Sequence, residues 1–74
     1  METQYQTTLV NTGDIVTGAR LIYCGAQIEI LATFEIRGVP WCVYTYISHV
    51  NPVCIPVGAL KESINAWHTQ HLAR

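Results

Sequence analysis

Gln27-Ile28-Glu29-Ile30-Leu31-Ala32-Thr33-Phe34-Glu35-Ile36-Arg37 alternates without a break. Ile28, Ile30, Ala32, Phe34 and Ile36 fall on one side; Gln27, Glu29, Leu31, Thr33, Glu35 and Arg37 fall on the other. A repeat of two over this length marks a β-strand, because successive side chains of an extended chain point to opposite faces. Residues 41–48, rich in aromatic and β-branched types, read as a second strand. Between them, Arg37-Gly38-Val39-Pro40 reads as a two-residue type II′ hairpin loop with glycine first. That loop places Ile36 opposite Trp41, Phe34 opposite Val43, Ala32 opposite Thr45 and Ile30 opposite Ile47. A slip of one residue would set Glu35 against Trp41 and bury charge, so the apolar pattern specifies the register.

The same reasoning runs toward the N-terminus. Cys24-Gly25-Ala26-Gln27 reads as another glycine-first turn, with Tyr23 opposite Ile28, Leu21 opposite Ile30 and Ala19 opposite Ala32. Thr7 to Val10 reads as a short first strand, and Asn11-Thr12-Gly13-Asp14 as a turn. Residues 1–6 are polar and read as loose. Toward the C-terminus, Val53-Cys54-Ile55 is a short apolar segment closed by Pro56. Residues 58–72 have helical spacing, with Leu60, Ile64 and Trp67 on the apolar side and Lys61, Glu62, Asn65, Thr69 and Gln70 on the polar side. The predicted fold is α+β: one domain over 1–74, an antiparallel meander of four or five strands packed by a C-terminal helix.

The opposite face of this predicted sheet is not a wet one. It gathers Arg20, Ile22, Glu29, Leu31, Thr33, Tyr44 and Tyr46, an aromatic and aliphatic centre with a charged rim. Tyrosine carries a large apolar body and a polar tip, which suits it to interfaces. Arg20 lies diagonal to Glu29, within reach of an ion pair. These seven residues form the predicted protein-binding surface. A solvated face and a face enclosed by a curled sheet are the competing readings.

Composition points the same way. The chain has 74 residues, 50% of them hydrophobic and 12% charged, with a formal net charge of -1. Average domains carry about 25% charged residues. A chain this short buries only about 62% of its surface alone. Contact with another chain would cover some of the apolar remainder. Cys24, Cys42 and Cys54 are odd in number and lack a CxxC spacing, as expected of reduced thiols in a cytoplasmic protein. The N-terminus has no basic and apolar segments of a signal peptide, and no run is long enough to span a membrane. A secreted chain with its signal removed is the alternative.

Chemistry-bearing constellations are sparse. His68 and His71 are three apart on the predicted helix, and Cys42, His49 and Cys54 are dispersed; neither set has a zinc spacing, so no metal or cofactor is expected. Cys42 and His49 are over about 20 Å apart along an extended strand, too far for a nucleophile–base pair. Glu29 and Glu35 share a face but lie about 20 Å apart, too far for a glycosidase pair. The glycines are scattered and form no phosphate loop, and four Lys/Arg give no basic patch.

Val53-Cys54-Ile55-Pro56-Val57-Gly58-Ala59-Leu60 resembles the closing strand and turn of SH3-like small barrels, such as plasmid-borne type II dihydrofolate reductases. That family's active strand places a glutamine and a tyrosine around an isoleucine. Cys54 and Pro56 stand at the nearest positions here, so the resemblance implies a curled sheet and no activity. The expected function is that of a small non-enzymatic protein-binding module: a homodimer, or an inhibitor or adaptor docking on a larger complex, of the kind found among phage and mobile-element accessory proteins. Single-stranded nucleic-acid binding on the same face, with Tyr44 and Tyr46 stacking bases, is the first alternative. A small-ligand enzyme assembled at an oligomer interface around Cys42, Tyr44 and His49 is the second.

Overall fold

The computed structural model describes residues 9–72, with side chains as far as Gln70. After a 3₁₀ turn at Thr12–Asp14 come β1 (Arg20–Tyr23), β2 (Ala26–Ile36), β3 (Val39–Tyr46), β4 (Val53–Pro56) and α1 (Val57–Leu72). The strands form one antiparallel sheet in the order β1-β2-β3-β4, and α1 packs on one face. The α+β meander is therefore present, with four strands. The SH3-like curl is not: β1 and β4 stay at opposite edges and the sheet is open. Leu9 and Val10 lie outside any strand, and the rest of the predicted first strand, with the polar segment 1–6, lies outside the described residues.

Both hairpin turns sit one residue earlier than their glycines imply. Tyr23 pairs with Ala26 and Ile36 with Val39, so the loops are Cys24-Gly25 and Arg37-Gly38. All four loop residues have positive φ: Cys24 55°, Gly25 77°, Arg37 52° and Gly38 81°. That is the type I′ pattern, with glycine second, whose twist matches the flanking strands. Holding Cys24 and Arg37 in the left-handed region costs roughly 1 kcal/mol each. Each hairpin register is displaced by two residues from the glycine-first reading, which by itself leaves the faces unchanged.

A further irregularity does change them. β2 and β3 pair as Ala32 with Val43 beyond Leu31, but as Ile30 with Tyr44 before it. Leu31 is an extra residue, a β-bulge, and it turns the distal part of β2 over relative to its base. Ile28 and Ile30 share the helix-covered face with Leu21, Cys42 and Tyr44. Ala32, Phe34 and Ile36 pair with Val43, Trp41 and Val39 on the opposite face.

The core forms where α1 meets the base of the sheet. Ile28, Ile30 and Cys42 are fully buried beneath Leu60 and Ile64, with Val57, Val10 and Ile15 completing the cluster. The helix buries positions 57, 60, 64 and 68, a spacing of three and four. His68 therefore takes the inward place expected of Trp67, and its Nε2 has no hydrogen-bond partner among the described residues. Trp67 lies instead against the first turn, its Cζ2 3.8 Å from where a Cβ on Gly25 would stand. Asn65, expected on the polar side, ties down the incoming chain. Its Nδ2 donates to the Val10 carbonyl at 2.9 Å, and its Oδ1 accepts from the Val10 N–H at 2.8 Å.

Candidate interaction surface

The seven predicted contact residues do not share a face. Arg20, Ile22 and Glu29 lie on the outer face, away from α1, as expected. Arg20 and Glu29 are directly opposite rather than diagonal, and Arg20 Nη2 stands 3.7 Å from Glu29 Oε1. Leu31 is the bulge. Thr33 pairs with Cys42, so it faces the helix side. Tyr44 and Tyr46 lie on that inner side as well, and Tyr44 is only 7% exposed. Glu35 follows Thr33, which separates it from Glu29 by a face as well as by distance.

The tyrosines belong to an inner aromatic row. Tyr23 meets Tyr44 edge-on at 6.5 Å between centroids, Tyr44 meets Tyr46 edge-on at 6.2 Å, and Tyr46 stacks on His49 at 6.1 Å. Edge-to-face contact is favourable because the positive ring edge meets the negative face. Burial pushes the Tyr44 and Tyr46 hydroxyls above their ordinary pKa, with the neighbouring Tyr and Cys side chains adding to it. Burial likewise raises the Cys42 thiol, with Cys54 contributing. A thiol held protonated in this way is a poor nucleophile. All three cysteines are unpaired, Cys24 and Cys54 at the surface. Among the described residues no three His, Cys, Asp or Glu side chains converge as metal ligands. None of the described helices is long and apolar enough to cross a membrane.

The outer face divides at the bulge. Its base carries Arg20, Gln27, Glu29, the half-buried Ile22 and the buried Thr45, whose Oγ1 accepts from the Asn51 N–H at 2.8 Å and anchors the β3–β4 connection. Its distal part is apolar: Ala32, Phe34, Ile36, Val39, Trp41 and Val43. Phe34, Ile36 and Val39 are 41%, 46% and 48% exposed, and every residue from 31 to 40 is exposed. The β2–β3 hairpin thus projects as an arm, and its inner side at Thr33, Glu35 and Pro40 borders a cavity shared with Thr12, Gly13 and Val57, the first residue of α1.

Alternation alone puts Phe34, Ile36 and Trp41 on one face with Ile28 and Ile30, the face that α1 covers. One signal in the sequence could have corrected the register. In the observed pairing Pro40 is opposite Glu35, one step from the turn-closing pair Ile36–Val39. Such pairs exchange no hydrogen bonds, so the missing N–H of proline costs nothing there. The bulge itself carries no glycine or other mark.

These features define a class: a small open α+β sheet with one helix-covered face and one exposed apolar arm. The chain matches no protein-family model, no curated protein and no solved structure.

Proposed function

We propose that this chain is a non-enzymatic module that works by protein contact through the distal outer face of its sheet. The observation that carries this reading is the apolar arm: Phe34, Ile36 and Val39 stand half exposed on one surface, with Trp41 and Val43 between them and β4. Contiguous apolar surface of this kind marks contacts between chains. The low charge of the chain fits the same use. An inhibitor or adaptor docking on a larger complex would use this surface, not the inward-facing Tyr44 and Tyr46. The nucleic-acid reading has less support, because Tyr44 and Tyr46 are withdrawn to the inner side and Arg20 is paired with Glu29. The enzyme reading would need Cys42 and Tyr44 accessible, and both are buried.

Photo-crosslinking tests the proposal. A benzophenone amino acid at Phe34 is expected to give protein adducts in host cells, while the same group at the exposed helix residue Gln70 gives few. Equal yields at the two positions, or adducts to nucleic acid at position 34, would overturn it.

A further inference from the structure

We propose that the partner of the arm is a second copy of this chain, joined edge to edge through the distal half of β2 in an antiparallel pair centred on Phe34. This rests on the reading of the arm as a protein-contact element and places the second copy along its edge, beside the outer face.

β2 is covered on its β1 side only as far as Ile30. Tyr23, Leu21 and Ala19 satisfy its base; Ile30 N–H donates to the Ala19 carbonyl at 2.9 Å, and Gly18 N–H donates to the Ile30 carbonyl at 2.8 Å. Beyond that, no strand among the described residues pairs with this side of β2. The turn-closing pair Ile36–Val39 fixes the hydrogen-bonding phase. Ile36, Phe34 and Ala32 direct their backbone groups to β3, and Glu35 and Thr33 direct theirs to the open edge. Native sheets blunt such edges with proline or charge. The β4 edge has Pro52 and Pro56, and the tip of β3 has Pro40. The open edge of β2 has no proline, and its one charged residue, Glu35, lies opposite Thr33 of the second copy in the register centred on Phe34.

The edge is self-complementary in one register. Centred on Phe34, Thr33 pairs with Glu35 of the second copy, and Glu35 with its Thr33, each exchanging two hydrogen bonds. Phe34 then meets its own counterpart in the closer, non-hydrogen-bonded type of pair, and Ile36 meets Ala32, all on the apolar outer face. A register centred on Glu35 would oppose two carboxylates, which is unfavourable. A register centred on Thr33 would bring Ile36 against Ile30, whose edge groups already bond Gly18 and Ala19. A two-fold axis at Phe34 avoids both. Of the exposed apolar side chains, Phe34 and Ile36 stand beside this edge on the outer face and offer roughly 180 Å² per copy. With the edge backbone added, the contact belongs among weak, transient interfaces, below about 1,200 Å² in total. The pairing joins the two sheets into one of eight strands, four from each copy, in a weak dimer.

Sedimentation equilibrium from about 1 μM to about 300 μM tests this, with the whole chain throughout. The parent is expected to go from monomer to dimer across that range. Phe34→Glu and Phe34→Lys place like charges opposite each other at the axis, and each is expected to weaken the dimer by at least about 30-fold. An equimolar mixture of the two restores it, because only heterodimers pair opposite charges. Thr33→Pro removes an edge N–H that has no backbone partner among the described residues, and is expected to abolish dimerisation with the circular dichroism spectrum unchanged. A parent that stays monomeric at the highest concentration overturns the second-copy proposal, and so does a Glu/Lys mixture that stays dissociated. A folded Thr33→Pro variant that dimerises like the parent also overturns the edge pairing. Crosslinks from position 34 to a different protein would still uphold the contact reading, so the two failures are separable.

Discussion

At the base of the β2–β3 hairpin, Ile28 and Ile30 are fully buried against Leu60 and Ile64. At its tip, Phe34 and Ile36 continue the same alternation yet lie on the other face, half exposed. The residue types at the two ends are alike. What separates them is one inserted residue, Leu31, and the reach of a 16-residue helix. The base has both edges satisfied and its inner face covered. Among the described residues, no strand pairs with the arm's free edge and nothing covers its outer face. Identical hydrophobic patterning thus supplies stability in one place and a surface for contact in the other.

Alanine at matched isoleucines should break this comparison open most widely. Ile30→Ala removes a fully buried side chain and is expected to cost about 3 kcal/mol. That is a large share of the roughly 4–11 kcal/mol expected for a chain of this length. Ile36→Ala, half exposed in the isolated chain, should cost under about 1 kcal/mol. Urea melts followed by far-UV circular dichroism below the dimerisation range measure both. Equal losses would mean that the arm is as buried as the base.

Alkaline pH should act on the base alone. Burial raises Cys42 above its ordinary 9.0, and Tyr44 and Tyr46 above 10.0, so the fold favours their protonated forms. The stability linked to them is complete below pH 9 and is lost as pH rises through each raised value. The urea midpoint is expected to fall above pH 9. Cys42→Ala should delay the first part of that fall, and Ile36→Ala should leave its pH dependence unchanged. A midpoint indifferent to pH between 9 and 11 would show that these groups are not buried as described.

The smallest effect sharpens the tip. Arg37 has a φ of 52°, which asparagine tolerates better. Arg37→Asn should raise stability by about 0.5–1 kcal/mol in thermal melts. A destabilised variant would argue against the type I′ turn.

The meander and its closing helix were legible because their signals are local. Alternation over residues 27–37, glycines between strands and three-to-four spacing after Pro56 each report on a few neighbours. The exchange of His68 for Trp67 was less legible, since both lie near the same edge of the helix and only the sheet beneath selects one. The two bonds from Asn65 to Val10 were not legible at all, because they join residues far apart in sequence.

The assignment of faces shows the same division. By itself the sequence determined that two apolar strands pair as a hairpin, that a helix follows, and that one helix cannot cover all the apolar surface. It left open which residues that helix would cover. That was decided by the pairing of whole strands: type I′ turns displaced each register by two, and a bulge at Leu31 reversed the distal face. A local pattern of period two carries no information about where a strand takes up an extra residue. Only the gain from packing Ile28, Ile30, Cys42 and Tyr44 together under α1 selects that position.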